Sequence, residues 1–171
     1  ETASWAASVA GGHVGRARRL ARDPAARAHR ELVLGLPMRV RNLGDAFSYA
    51  GDLVRDAKAE ATELSESRDA AEREELAVAM GAGGTGKGAA AAARGAKAAE
   101  RDLERQQKSR NTRTQRDALD RALVDLAGFL RDALVVGSGA DVPLTHPDRD
   151  ADVRRAATDW SPEAVLRRLE A

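Results

Sequence analysis

A chain of 171 residues with 28 basic and 27 acidic side chains, a formal net charge of +1 and no cysteine excludes disulfides and thiolate metal sites, and it has no overall field to draw it toward nucleic acid or anionic lipid. Aromatics are 3% and Ala dominates the 43% apolar fraction, a composition rich in helix formers and poor in strand formers, so the expected fold class is all-α. No apolar run reaches the ~20 residues that span a bilayer and no signal peptide opens the sequence, so the expected location is cytoplasmic, with no membrane partner.

In chain order, "ASWAASV" reads as the end of a helix, interrupted by Gly11 and Gly12. A second helix runs through "HVGRARRLARD" and stops before Pro24, because proline disfavours helical geometry in the residue ahead of it. Asp23 then serves as N-cap, with Pro24 at the first position of "PAARAHRELVLGL". Pro37 is expected to end or kink that helix.

After Asn42 begins the longest periodic stretch, in which Leu43, Phe47, Ala50, Val54, Ala57, Ala61 and Leu64 recur at three- and four-residue steps. That spacing predicts one apolar stripe on one helix face. Beyond Leu64 the stripe thins among charges, so the distal part reads as a solvated, charge-laced helix. Residues 80–95, "MGAGGTGKGAAAAARG", then spell a phosphate-loop pattern in Gly81, Gly86 and Lys87. Such a loop uses backbone N–H groups to cradle phosphate, a lysine to reach it and a Ser/Thr hydroxyl to hold Mg²⁺. Gly88 stands where the hydroxyl belongs, and the preceding "SRDAAEREELAVAM" is helical in pattern where a buried strand is required. Gly81, Gly86 and Lys87 therefore read as a decoy, part of a flexible Gly/Ala-rich tip over 81–95, and no cofactor is expected.

A second very long helix follows. Its first half is polar, while its second half carries Leu119, Ala122, Leu123, Leu126, Leu130 and Leu134 at core spacing. Each long helix is thus apolar at the end away from the Gly-rich segment, which predicts an antiparallel hairpin whose root packs in a core and whose tip stands in water. "GSGADVPLTHP" over 137–147 reads as a loop, a short helix follows near 148–157, and Ser161, Pro162 and Glu163 mark a last helix start. The first helix lacks a start signal and the last lacks a stop, so both ends read as cuts within a longer polypeptide.

His13, His29 and His146 are isolated from one another in the sequence, so solvent-facing or capping positions are expected and no metal site. No nucleophile pattern appears, and no catalytic residue is assigned. The basic runs "GRARRLARD", with Arg16, Arg18 and Arg19, and "KSRNTRTQR", from Lys108 to Arg116, lack interleaved aromatics on which bases stack and read as solvated helix faces. Trp5 and Trp160 are expected to anchor a core or an interface.

"AASVAGGHVGRARRLARDPAARAHRELVLGLP" followed by helices resembles the clamp-loader delta prime subunits of bacterial DNA polymerase III, in their high-GC Gram-positive form. The resemblance implies that residues 1–22 end an AAA+ lid, with "GGHVGRA" at the sensor 2 helix start, and that 23–171 form a helical collar domain carrying a polar hairpin insertion over 65–115. Taking Gly12 as the glycine of the sensor 2 pattern puts Gly15 at the position where ATP-binding relatives carry an arginine, which implies no ATP hydrolysis. It further implies a non-catalytic assembly role in sliding-clamp loading during DNA replication, with the gamma/tau and delta subunits as partners through the collar and only indirect or weak DNA contact. The readings left beside it are a free-standing helical interaction or nucleic-acid-binding module and, last, a P-loop NTPase.

Overall fold

The computed structural model describes residues 1–80 and 89–170, and the side chains of all of these except 89–94. Among the described residues there are seven α-helices, one 3₁₀ turn and no strand, as the composition requires. The helices are α1 (Thr2–Ser8), α2 (Val14–Arg22), α3 (Pro24–Arg39), α4 (Leu43–Ala79), α5 (Ala89–Gly137), α6 (Asp150–Asp159) and α7 (Pro162–Glu170), with the 3₁₀ turn at Pro147–Arg149.

Local chemistry sets most boundaries. His13 caps α2, its Nδ1 accepting from the Arg16 N–H at 3.2 Å, and Asp23 caps α3, accepting from the Ala25 N–H at 2.9 Å. Asn42 accepts from the Asp45 N–H at 2.9 Å while the Asp45 carboxylate accepts from the Arg41 N–H at 3.0 Å, a reciprocal cap that opens α4. Pro37 neither ends nor visibly interrupts α3, which runs on to Arg39 and is closed by the Val40 N–H donating to the Leu36 carbonyl at 3.0 Å. Two residues from the helix end, its missing N–H costs a single bond. α5 ends where Gly139, at φ +66, turns the chain left-handed: its N–H donates to Val136 and that of Ala140 to Val135, both at 3.1 Å, the paired closure that favours glycine.

The chain divides into two compact units, Glu1–Ala50 with Arg121–Ala171, and Gly51–Asp120. Residues 1–22 fall in the same unit as α3, and the second unit is wider than the 65–115 expected for a hairpin insertion.

The first unit has two apolar clusters. Leu34, Phe129, Ala133, Val153, Ala156 and Val165 form the larger, flanked by Met38, Leu130, Leu134 and Trp160; Ala6, Val9, Leu20 and Ala26 form the smaller, with Trp5 and Ala21 against it. Both tryptophans therefore flank cores. The stripe expected to root α4 is not buried here: Leu43 is 72% and Phe47 71% exposed. On α5 the buried line is Ala122, Asp125, Phe129, Asp132 and Ala133, while Leu123 is 59% exposed. Periodicity located an apolar side correctly but overvalued the leucines, because the close-packed line runs through small and hydrogen-bonded residues.

The second unit is an antiparallel pair of helical segments. Its seam on α4 is Ala57, Ala61, Ser65 and Asp69, and its α5 side includes Gln107 and Ala118, all buried. Small residues let the helix axes approach closely. Val54 and Leu64, expected in the stripe, are exposed. Pairing reverses direction along the seam: Asp69 and Glu72 meet Arg110 and Gln107, while Lys58 and Thr62 share a groove with Thr112 and Gln115.

Candidate functional site

The densest chemistry in the first unit is a buried polar network around His146, which is 1% exposed. Its Nδ1 lies 3.0 Å from Arg30 Nη2 and its Nε2 3.1 Å from the Asp125 carbonyl. An arginine only donates and a carbonyl only accepts, so the ring satisfies both as the neutral Nε2–H tautomer. Arg30 grips Asp148 with both terminal nitrogens, at 2.6 and 3.0 Å, and its guanidinium lies 5.5 Å from the Trp5 ring centroid. The Trp5 indole N–H donates to the same carboxylate at 3.3 Å. Asp132, fully buried, accepts from the Thr145 and His146 backbone N–H groups at 2.9 and 2.7 Å and pins the loop to α5. Arg16 pairs with Asp125.

Two shifts follow from this packing. Burial, then the adjacent Arg30 charge, holds the His146 pKa below its ordinary 6.5 against the opposing pull of Asp125 and Asp132. Burial pushes the Asp148 carboxyl up, yet the Arg30 hydrogen bonds and charge, with the Trp5 N–H, bring it below its ordinary 3.8. A glycine makes the arrangement possible: a Cβ at Gly128 would stand 2.6 Å from His146 Nε2.

A general acid or base must reach a substrate proton. His146 reaches only Arg30 and Asp125, so the cluster acts as a polar clasp holding the loop and α3 onto α5. Arg30 Nε remains buried without a partner, one donor left over from an otherwise engaged guanidinium.

The other singled-out residues scatter. His13 is the expected cap, His29 is half-buried, and His146 departs from the solvent-facing expectation because its ring is internally bonded. Gly15 sits in the first turn of α2, its would-be Cβ 3.1 Å from the His13 ring, and the cation beside it, Arg16, is spent on Asp125. Gly81, Gly86 and Lys87 lie outside the described residues; the described segment ahead of them is the end of α4, a helix. Of the second basic run, Arg110 is taken up by Asp69 and Glu72, whereas Lys108, Arg113 and Arg116 are exposed. No group of three or more His, Asp or Glu able to hold a metal exists among the described residues, and none of their helices is long and apolar enough to cross a membrane.

His146 is buried where a solvent-facing or capping place was expected, and nothing in the sequence pattern had singled out Asp125 or Asp132. Their signal was two aspartates seven apart on the packed side of α5, interrupting Ala118, Ala122, Phe129 and Ala133. An acid on such a line needs a donor from elsewhere in the fold.

In the second unit, Arg110 donates to Glu72 at 3.1 and 2.7 Å and Gln107 donates to Glu72 and to the Asp69 carbonyl, each at 3.1 Å. The Arg110 bond, then those of Gln107 and Arg68, lower the Glu72 carboxyl to about 2, and the bonds that Arg110 makes to Glu72 and then to Asp69 raise its guanidinium above its ordinary value. Beside this cluster runs an open groove of about 350 Å³. Compared with known protein families, curated proteins and solved structures, the chain matches none.

Proposed function

We propose that this chain is a non-catalytic helical assembly module, and more specifically the collar region of a bacterial clamp-loader delta prime subunit that helps organise sliding-clamp loading in DNA replication. The observation that carries the assembly reading is the first turns of α4, where Leu43 and Phe47, four residues apart, stand 72% and 71% exposed. One helical turn apart on one face, they form a single ridge. Each forgoes roughly 1.5–3 kcal/mol of burial while it stays in water, and an apolar helix of a neighbouring subunit would recover that energy. The polar clasp supports the same reading, since it spends the unit's buried charges on rigidity. The clamp-loader assignment rests on the resemblance carried by residues 6–37, and the partners it names are the gamma/tau and delta subunits.

The test is complex formation between this chain and ring-competent gamma/tau and delta collar regions. Leu43→Asp with Phe47→Asp should abolish the complex without changing helicity. Absence of any complex with the unaltered chain would overturn the clamp-loader reading, and an unaffected complex in the double variant would overturn the role of this ridge.

A further inference from the structure

Charge is segregated within the second unit. Residues 51–80 carry nine acids against four bases, and residues 95–120 carry seven bases against five acids. The seam consumes only part of this contrast, through Arg110 with Asp69 and Glu72. What remains on α5 has a register: Lys97, Arg101, Arg105, Lys108 and Arg116 follow one another at three- and four-residue steps, with Thr112 completing the gap, and all six are exposed. Gln107, Arg110 and Ala118, the residues turned into the seam, lie on the other side of the helix. Five cations thus form one row along about 28 Å of helix. Arg105 is paired with Asp102 on the surface; among the described residues Lys97, Arg101, Lys108 and Arg116 form no ion pair.

The groove flanking this row widens the same chemistry. Lys58 and Arg73 from α4 meet Lys108, Asn111, Thr112 and Gln115 from α5 there. Hydroxyl and amide donors beside cations are the set that contacts phosphate and sugar oxygens. Of the two acids in the groove, Asp69 is engaged by Arg110, which leaves Glu104 as its open negative charge.

We propose that this α5 row, with its flanking groove, is a docking face for the phosphate backbone of a nucleic-acid duplex, contacted without reading sequence. A row of cations at near-regular intervals complements a polyanion, and it does so although the whole chain is almost neutral. Residues 51–120 contain no Phe, Tyr or Trp, so the stacking platform that single strands require is missing. A membrane surface would require an apolar side buried among lipids, and the row has none. The inference does not depend on the clamp-loader assignment.

The test uses the intact chain, with binding followed by fluorescence anisotropy of a labelled duplex of about 25 base pairs, well beyond the roughly 8 pairs that the row spans at 3.4 Å each. Affinity should fall steeply with salt. Lys97→Gln, Arg101→Gln, Lys108→Gln and Arg116→Gln combined should weaken binding at least tenfold and shallow the slope of log K against log salt by about 3 to 4, near one per phosphate contact. A charge-matched variant of the first unit, Arg39→Gln, Arg41→Gln, Arg154→Gln and Arg155→Gln, should bind as the parent does, and circular dichroism should verify that both fold. DNA and RNA duplexes assayed in parallel distinguish the two sources of the same backbone, and binding to either supports the proposal. Tighter binding to a single strand, tighter binding to phosphatidylserine vesicles, equal losses in the two variants, or no duplex binding at low salt would each overturn it.

Discussion

Replacing Gly128 by Ala should disable the polar clasp by adding one methyl group. The new Cβ would lie 2.6 Å from His146 Nε2 and 3.3 Å from its Cδ2, inside the distance two atoms tolerate, and the ring is 1% exposed with no room to withdraw. Moving it breaks the bond to the Asp125 carbonyl at 3.1 Å and strains that to Arg30 at 3.0 Å. Overpacking costs ~1–3 kcal/mol and an unsatisfied buried polar group ~1–3 kcal/mol more, while the better helix propensity of Ala returns ~1 kcal/mol. The net expectation is a loss of about 1 to 5 kcal/mol. Both tryptophans, Trp5 and Trp160, lie in the first unit, so urea unfolding followed by tryptophan fluorescence reports that unit specifically, with a lower midpoint and unchanged slope expected. Gly137→Ala, in the same unit and with a Cβ that would meet nothing closer than 3.8 Å, is the control and should not destabilise. Adding His146→Ala to Gly128→Ala should relieve the clash, so the two losses should fall short of additivity. A Gly128→Ala protein as stable as the parent, or strict additivity, would refute the reasoning.

The remaining expectations test other parts of the structure. His146 is held neutral with its pKa below 6.5, so the unfolded chain takes up the proton first and the first unit should lose stability as pH falls below about 6.5; Asp148, also depressed, adds a further loss as pH drops through the carboxylate range. A His146→Gln variant should flatten the upper part of that profile in urea midpoints taken from pH 7.5 to 5, and an equally steep profile would count against the assignment. Glu72 should titrate at about 2 by side-chain NMR and return toward 4.5 in Arg110→Gln; an ordinary value in the parent would mean that the seam cluster does not form. Phe129→Ala removes the largest fully buried side chain among the described residues and should cost ~3–5 kcal/mol in the same fluorescence assay.

How much of this was legible in the residues depends on the range of the interaction. Asp23 and Ser161 stood out as helix starts because a cap is settled within three residues: Ser161 Oγ accepts from the Ala164 N–H at 3.3 Å, as its position ahead of Pro162 and Glu163 foretold. The helical class followed from composition, and the hairpin from two long periodic segments around a glycine-rich break. Burial was a different matter. Leu43 and Phe47 share a helical face with Ala57 and Ala61, yet the leucine and phenylalanine are exposed and the alanines buried, since which part of a stripe is covered depends on what else arrives there.

The same division holds for the charged residues. The order of residues alone settles which side chains are charged, their helical register and therefore the row on α5, because a register is a property of one helix. It takes the packed fold to spend Arg110 on Asp69 and Glu72, to leave Lys108 with no ion pair among the described residues, and to bring Asp125, Asp132 and His146 together across a loop. Those pairings join residues between 14 and 41 positions apart, and no local propensity encodes a distance that the packing of several helices creates.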